Sequence, residues 1–352
     1  MTDLLAATAE LVAIPSLSRQ EGAIADYVEA ALSHADGLEV VRVGDNVVAR
    51  TALGQARRLV LAGHLDTVPP KDNSAPHVDD DTLWGLGSAD MKGGLAVMLD
   101  LAASVPGPHC DVTYIFYAAE EIARSYSGLL VLAATRPDLL EADAAVVCEP
   151  TNAVVEAGCQ GVLKAEVVLT GRRAHTARPW TGRNAIHRLW PVLQAVSDWP
   201  GREVVVDGCR YRESLQAVAV SGGVAANVVP DEAVLQLNHR FAPDRSATAA
   251  AGSVRAALIS GLEEGDTFRV TDSAPAAPPS LDHPLIGRLV AEAGGTVSGK
   301  LGWTDVAFFA ERGVPAANFG PGDPELAHSA GEKVTRASLE QARSVLGRLL
   351  ED

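Results

Sequence analysis

Three short segments in the first half of the chain are almost continuously apolar, and they constrain the fold more than any other feature. They read RLVLAGHLD, VTYIFYAAEE and DAAVVCEP. Nearly unbroken runs rich in Val, Ile and Tyr are typical of strands buried on both faces of a sheet. Two segments with helical periodicity, GGLAVMLDLAASV and SGLLVLAATRPDLL, separate them. This alternation predicts an α/β fold.

The hydrophobic pattern changes near Gly161, which indicates a second domain. Three later segments alternate like half-exposed strands: VLKAEVVLTG, LQAVAVSGG and EAVLQLNHRF. With the helical segments NAIHRLWPVLQAVSDW and RSATAAAGSVRAALISGL, they favour a small α+β sandwich of one sheet and two helices. The Pro/Ala-rich stretch 274–280 is typical of a linker. We therefore expect a catalytic domain in two segments, 1–160 and 281–352, interrupted by an inserted domain at 161–280.

Side chains that bind metal ions lie at or near the ends of the apolar strands. Open α/β sheets place their ligands at the carboxyl ends of strands, so this shared placement points to one site. Two histidines and several carboxylates, with no cysteine among them, suit a pair of divalent ions holding an activated water. The residues are His64, Asp66, Asp90, Glu120, Glu121, Glu149 and, late in the chain, His328.

Spacing suggests how some of these residues cooperate. His64 and Asp66 are two apart, so on a strand they point to the same side, and Asp66 can accept a hydrogen bond from the imidazole. Asp90 precedes a helix and can bridge two ions. Neighbours on an unbent strand point opposite ways, so one of Glu120 and Glu121 can bind metal while the other takes a proton from the bound water.

Each of these residues, taken alone, also has a structural explanation. A histidine at a strand end is often simply hydrogen bonded, and an aspartate before a helix is often its N-cap. Adjacent glutamates are common in solvated acidic turns, although burial would make such a pair costly without a cation. Glu149 would then be an ordinary charge at the end of a strand.

Composition excludes several classes of function. The chain has 352 residues and a formal net charge of −16, so it repels phosphate backbones and nucleic acid is not an expected partner. No apolar run approaches the roughly 20 residues of a membrane span, and the N-terminus does not resemble a signal peptide. The four dispersed cysteines fit reduced thiols better than a disulfide framework. We expect a soluble cytoplasmic protein.

Five motifs occur in a specific order along the chain: GHLDTVPP, SADMKGG, AAEE, CEP and AHS. In this order they resemble the cocatalytic zinc amidohydrolases and peptidases, a family that includes acetylornithine deacetylase and carboxypeptidase G. The resemblance covers nearly the whole chain and is closest to the branch of bacterial succinyl-diaminopimelate desuccinylases. It implies an aminopeptidase-like mixed-sheet catalytic domain. It also implies that the insertion is a ferredoxin-like lid that forms a homodimer.

The resemblance implies a role for each residue at the strand ends. His64 and Glu149 would hold one Zn²⁺, and Glu121 and His328 would hold the other. Asp90 would bridge the two ions, and Glu120 would be the general base, with Asp66 beside it in the catalytic group. Co²⁺ or Mn²⁺ could replace zinc at a site of this composition.

Further residues match substrate-binding positions of the family. His175 matches a histidine that reaches into the partner subunit's active site and stabilises the oxyanion. Asn227 and Arg240 match residues that hold substrate carboxylates, and Thr304 matches a substrate-contacting position. Arg178, three residues after His175, could also bind a carboxylate, since its planar fork suits that task.

These matches lead us to expect removal of succinate from N-succinyl-L,L-2,6-diaminopimelate, a step of lysine and cell-wall precursor synthesis. Two departures from the family pattern concern the substrate pocket. The family often has Gly soon after the paired glutamates, whereas this chain reads EEIARSYSG, and KLGWTD has Trp303 in place of a small residue. A related deacetylase or dipeptidase therefore remains an alternative. A metal-holding protein without catalysis is a second one, although Glu120, Glu121 and His175 are all present.

Overall fold

The protein is described from a computed structural model, which covers residues 3–105 and 107–351. The chain divides into two compact units, each formed by more than one segment. The first unit comprises Met1–Gly158, Pro279–Ser298 and Thr304–Asp352. The second unit comprises Cys159–Pro278 and Gly299–Trp303.

The described residues form the helices and strands that follow. The α-helices are α1 (Leu4–Val12), α2 (Gly22–Ser33), α3 (Gly93–Ser104), α4 (Gly128–Thr135), α5 (Leu189–Ser197), α6 (Ala247–Leu258), α7 (Pro284–Glu292), α8 (Val306–Ala310) and α9 (Arg336–Glu351). The strands are β1 (Leu38–Val43), β2 (Asn46–Thr51), β3 (Arg58–His64), β4 (His77–Asp79), β5 (Thr82–Trp84), β6 (Asp111–Tyr117), β7 (Ala144–Val147), β8 (Val155–Ala157), β9 (Gly161–Thr170), β10 (Ala174–His175), β11 (Glu203–Val206), β12 (Cys209–Arg212), β13 (Ser214–Gly222), β14 (Val228–Val229), β15 (Glu232–Phe241), β16 (Thr267–Ala274), β17 (Val297–Gly299), β18 (Ala316–Asn318) and β19 (Lys333–Thr335).

The main sheet of the first unit is mixed and has the order β1-β2-β6-β3-β7-β18-β8-β17 among the described residues. Its centre is parallel, because β3 pairs in parallel with both β6 and β7, and β7 with β18. The outer pairs β1–β2, β2–β6 and β18–β8 are antiparallel. Every residue of β6 and β7 is buried, as the apolar runs predicted. The predicted mixed α/β sheet is confirmed.

Parallel pairing brings the carboxyl ends of the central strands together. His64 lies opposite Tyr117, the last residue of β6, and Ala62 lies opposite Val147, the last residue of β7. The segments that follow β6 and β7 carry Glu120, Glu121 and Glu149. The segments that carry these acidic residues therefore start at the same edge of the sheet as His64.

The second unit contains a four-stranded antiparallel sheet with the order β13-β15-β9-β16. Buried and partly exposed side chains alternate along β9, the pattern expected of a sheet with one covered face. Leu163, Val167 and Leu169 of β9 share a core with residues of α5 and α6. The predicted sandwich of one sheet and two helices is present.

One predicted helix begins later than its hydrophobic pattern suggests. The segment from Asn184 was expected to be helical, but α5 begins at Leu189. The side-chain oxygen of Asn184 accepts hydrogen bonds from the backbone N–H groups of Ile186 and His187. This local bonding favours a turn, because an Asn side chain competes with the backbone for helical hydrogen bonds.

Two expectations from composition concern the membrane and the cysteines. No helix in the part of the chain that the structure describes is long and apolar enough to cross a membrane. All four cysteines are buried free thiols, as their dispersed positions predicted.

Candidate metal centre

His64 ends the central strand β3 with an almost fully buried imidazole. Its Nδ1 lies 3.0 Å from the backbone oxygen of Asp66, and its Nε2 lies 3.1 Å from Oδ1 of Asp90. Burial alone would lower the pKa of His64, but its contacts with Asp66 and Asp90 outweigh burial and raise this pKa well above the ordinary value. The ring is thus fixed from both sides.

The Asp66 carboxylate has a different partner from the one that the sequence suggested. Its Oδ1 lies 3.6 Å from Nδ1 of His64, whereas the backbone oxygen of Asp66 lies only 3.0 Å from the same nitrogen. The carboxylate instead accepts hydrogen bonds from the N–H of Glu120 at Oδ1 and from the N–H of Glu121 at Oδ2, each at 3.0 Å. Ser18 donates a third, at 2.6 Å. Asp66 lies beyond the end of β3, so the two-residue strand period does not apply to it.

The segment after β6 turns sharply before the paired glutamates. Ala119 has a positive φ of 60°, and its N–H donates to the buried carboxylate of Glu21 at 2.9 Å. Glu120 and Glu121 therefore follow a held turn, not an unbent strand. Glu21 and Asp66 together accept hydrogen bonds from the backbone N–H groups of Ala119, Glu120 and Glu121. The sequence did not single out Glu21, because an acidic residue just before a helix gives no sign of a partner in a distant loop.

Glu120 is surrounded by like charges. Burial is the main cause that raises the pKa of Glu120 well above its ordinary value. The carboxylates of Glu149, Glu121 and Asp305 raise it further, while the charge of His64 lowers it. A carboxyl group that binds a proton this readily can act as a general base and acid.

Asp90 lies between the two histidines. Its Oδ1 is 3.1 Å from Nε2 of His64, and its Oδ2 is 3.4 Å from Nε2 of His328. Helix α3 begins only at Gly93, and its N-cap residue is Lys92. The alternative that Asp90 is the N-cap of this helix is therefore wrong. Its carboxylate instead offers one oxygen to each imidazole.

His328 is held less firmly than His64. Its side chain is about half exposed, and it lies on a loop at a positive φ of 62°. Its Nε2 is 2.8 Å from Oε1 of Glu121. Hydrogen bonds with Asp90 and Glu121 raise the pKa of His328 to about 10.

The ligand atoms of His64, Asp90 and Glu121 all lie within 4.8 Å of one another, a spacing that could hold a metal ion. Glu149 is buried and lies two residues beyond the last residue of β7. His64 lies two residues beyond Ala62, which pairs with that same strand end. Glu149 thus lies just beyond β7, at the place along the chain that corresponds in register to His64 at the end of β3.

Asp305 directly follows the candidate residue Thr304, but no sequence pattern singled it out. Both are buried in the first unit. Burial raises the pKa of Asp305 to about 6, and the charge of His64 acts in the opposite direction. Asp305 is therefore close enough to His64 for the two charges to interact.

The remaining predicted residues belong to the second unit. His175 is exposed on β10, and the backbone N–H of Thr176 donates to the oxygen of Asn227 at 3.1 Å. The N–H of Arg178 donates to the oxygen of His175, so these three residues share one local structure. Arg240 lies on β15, where burial lowers its pKa. Trp303, the unusual residue of the KLGWTD segment, donates its indole N–H to the oxygen of Pro275 at 3.1 Å.

Comparison with protein families gives a match over most of the chain. The model described as "Peptidase family M20/M25/M40" matches residues 60–352. A protein of Mycobacterium tuberculosis named "Putative succinyl-diaminopimelate desuccinylase DapE" is 48% identical over 349 residues, which cover 99% of this chain and 98% of that protein. A "Succinyl-diaminopimelate desuccinylase" of Corynebacterium glutamicum is 42% identical, covering 99% and 96%.

Solved structures show the same fold at low sequence identity. Aminopeptidase PepT from Bacillus cereus has a TM-score of 0.80 at 20% identity and covers 99% of this chain and 97% of its own. The YXEP protein of Bacillus subtilis, whose description reads "a Dinuclear Metal Binding Peptidase from M20 Family", has a TM-score of 0.74 at 17% identity, covering 98% and 96%. The predicted aminopeptidase-like fold is confirmed.

Proposed function

The chain belongs to peptidase family M20/M25/M40, and we propose that it removes succinate from N-succinyl-L,L-2,6-diaminopimelate to give L,L-diaminopimelate. Two full-length relatives carry the name of this activity at 48% and 42% identity. The observation that carries the chemistry is the position of Asp90 between the imidazoles of His64 and His328, with Glu120 nearby.

The donor set fits a pair of divalent cations. Imidazole nitrogens and carboxylate oxygens suit Zn²⁺, and Co²⁺ or Mn²⁺ would bind the same set. We assign His64 and Glu149 to one ion, Glu121 and His328 to the other, and Asp90 to both. The raised pKa of Glu120 supports this assignment, since it shows like charges gathered in one buried place. When bound, two such ions lower the pKa of a water molecule and polarise an amide carbonyl.

Glu120 would accept the proton of the attacking water and return it to the leaving amine. Asp66 would hold Glu120 in place for this role, because its carboxylate accepts hydrogen bonds from the backbone N–H groups of both Glu120 and Glu121. A base displaced by a fraction of an ångström would lose its alignment with the water.

The second unit would supply substrate recognition. We propose residues 161–280 as a lid, in which His175 stabilises the tetrahedral oxyanion in the partner subunit's active site. The substrate is rich in carboxylates, which Arg178, Asn227 and Arg240 would bind together with Thr304 of the first unit. The protein itself has a net charge of −16, so these local cationic groups must outweigh its overall repulsion.

A homodimer through the lid is supported by the edge strand β13. Residues 216–222 of this strand are exposed, including Val218 and Val220. Unpaired apolar edges favour pairing with another strand, so we propose that β13 meets its copy. Val220→Lys should give a monomer by light scattering after size exclusion, whereas Val270→Lys on the opposite edge strand β16 should stay dimeric. A monomeric unmodified protein would disprove this arrangement.

The proposed setting is the cytoplasm, where the product would serve lysine and cell-wall precursor synthesis. Four buried free thiols are compatible with a reducing compartment.

The decisive experiment is turnover of N-succinyl-L,L-diaminopimelate by the purified protein, with and without added zinc. N-acetylornithine and simple dipeptides serve as competing substrates for the deacetylase and dipeptidase alternatives. We expect the succinylated substrate to have by far the highest kcat/KM and activity to require metal. Glu120→Gln should abolish turnover and retain both ions, since Glu120 is not assigned as a ligand. Preference for another acyl group would refute the proposed substrate. Normal turnover by Glu120→Gln would refute the assignment of Glu120 as the general base.

A further inference from the structure

Glu332 is a buried carboxylate that contacts the backbone at Asp90. Its Oε1 accepts hydrogen bonds from the N–H groups of Ala89 at 3.1 Å and Asp90 at 3.0 Å. Its side chain is 1% exposed, so water does not replace these bonds. Its own backbone oxygen accepts the N–H of Gly85 at 3.1 Å. A single residue thus fastens both ends of the segment 85–90.

Glu332 also connects this segment to the second histidine. It lies four residues after His328, and its N–H donates to the oxygen of Ser329 at 3.3 Å. Strand β19 begins at the next residue, Lys333, and pairs with β5 in antiparallel register. Glu332 therefore lies directly before a paired strand, while its side chain holds Asp90.

Asp90 needs such support because no helix fixes it. Its φ of −118° and ψ of 94° place its backbone outside the helical region, and α3 begins three residues later. The direction of its carboxylate depends on how its peptide group is held. Each of the two carboxylate oxygens faces a different imidazole, so a small rotation would spoil both contacts.

We propose that Glu332 is the positioning residue for Asp90, and that through Asp90 it sets the affinity and geometry of the two-ion site. This inference rests on the proposed function, because it presumes that Asp90 binds both ions. Glu332 acts through backbone hydrogen bonds and does not touch substrate. Groups that orient metal ligands typically change metal affinity 10- to 100-fold when they are removed.

Two conservative variants separate hydrogen bonding from charge. Oε1 accepts both N–H bonds, so the single carbonyl oxygen of Glu332→Gln can accept them although the charge is lost. Glu332→Asp keeps the charge but is one methylene shorter and cannot reach both N–H groups. Positioning therefore predicts that the Gln variant resembles the unmodified protein and that the Asp variant is impaired.

The control is a buried carboxylate that holds backbone groups away from the metal centre. Asp111 accepts the N–H groups of Leu53 and Gln55 and the hydroxyl of Thr51. It begins β6, whereas the candidate site follows the end of this seven-residue strand, about 20 Å away. Asp111→Ala should lower thermal stability without changing how metal binds.

The experiment is a Co²⁺ titration of the metal-free proteins, followed by calorimetry and visible absorption, with kcat and KM measured separately. We expect Glu332→Asp and Glu332→Ala to bind Co²⁺ about 10- to 100-fold more weakly. Their Co²⁺ absorption should change, and kcat should fall while KM stays nearly constant. Glu332→Gln and Asp111→Ala should match the unmodified affinity and spectrum.

Three outcomes would overturn the inference. Unchanged affinity and spectrum in folded Glu332→Asp would show that Asp90 does not depend on this contact. A Gln variant as impaired as the Asp variant would show that charge, not hydrogen bonding, matters. Equal losses in Asp111→Ala would indicate a general stability effect. Failure of the unmodified protein to bind two Co²⁺ ions would instead refute the proposed function, so the two results are distinguishable.

Discussion

Buried charges are balanced in the second unit and unbalanced at the candidate metal centre of the first. In the second unit, Arg188 donates from Nη1 and Nη2 to the two oxygens of Asp266 at 2.7 and 2.6 Å. Arg245 likewise donates to the buried carboxylate of Glu213 at 2.6 Å. Each of these carboxylates has a guanidinium partner, and the Arg188–Asp266 pair is bidentate, an arrangement that holds its geometry firmly.

At the candidate metal centre, carboxylates lie close to one another. The pKa of Glu120 is raised by burial and then by three neighbouring acids, and only His64 acts against them. Burying like charges is costly unless a cation joins them. The contrast suggests a general way to interpret buried charge: a paired charge stabilises the fold, and an unbalanced cluster indicates an ion that the chain itself does not supply.

The largest expected effect comes from breaking a balanced pair. Asp266→Ala would remove the bidentate partner of the buried Arg188 guanidinium and leave it the more distant carboxylate of Glu263, at 3.5 Å. Removing one partner of a buried ion pair typically costs about 3–5 kcal/mol. Urea unfolding followed by tryptophan fluorescence measures it well, since Trp180, Trp190, Trp199 and Trp303 all lie in the second unit. Replacing Trp84 by Phe removes the signal of the first unit.

The control for this variant is an exposed pair in the same unit. Arg173 and Asp231 are both exposed to solvent, so Asp231→Ala should destabilise the protein far less than Asp266→Ala. Metal affinity should be unchanged in both variants. Equal losses of stability for the two would mean that burial does not distinguish these pairs.

Metal loading should be the next largest effect, and it should act on the first unit. An ion present at 100 times its Kd stabilises the folded state by about 2.7 kcal/mol. Hydrogen exchange should therefore slow more in β3 and β6 than in β9 when Zn²⁺ is added to metal-free protein. No change in β3 and β6 would contradict the assignment of the unbalanced cluster as an ion site.

The sequence was sufficient for features that depend on hydrophobic periodicity. The continuous apolar runs of β3, β6 and β7 predicted strands buried on both faces, and the alternation of β9 and β15 predicted a half-covered sheet. Ligand-type residues at the strand ends could be found for the same reason, since the parallel register determines where those ends meet. Their roles stay predictions.

Contacts to the backbone of loops could not be predicted. Asp66 holds the N–H groups of two glutamates, whereas its spacing in the sequence had suggested a contact with His64. Glu332 holds the N–H of Asp90, and nothing in the spacing distinguishes it from a surface acid. Such contacts depend on how loops from distant parts of the chain meet. The late start of α5 has the same origin at shorter range, because Asn184 bonds two N–H groups of its own turn.

The smallest expected effect is an opposite pH dependence of the two units in metal-free protein. Burial raises the pKa of Asp305 to about 6 and that of Glu332 to about 7. A raised pKa means that the stabilising contribution is complete below the unfolded values of 3.8 and 4.5 and disappears as pH rises through 6 and 7. The first unit should lose stability between pH 4.5 and 7.

In the second unit, burial lowers the pKa of His239 from 6.5. Its stabilising contribution is therefore present above pH 6.5 and disappears as pH falls through the lowered value. The second unit should gain stability over the range in which the first loses it. Urea unfolding at pH 5, 6 and 7 can measure both trends, using tryptophan fluorescence for the second unit and hydrogen exchange in β3, corrected for intrinsic rates, for the first. Parallel trends in the two units would show that the unbalanced carboxylates do not control the stability of the metal-free site.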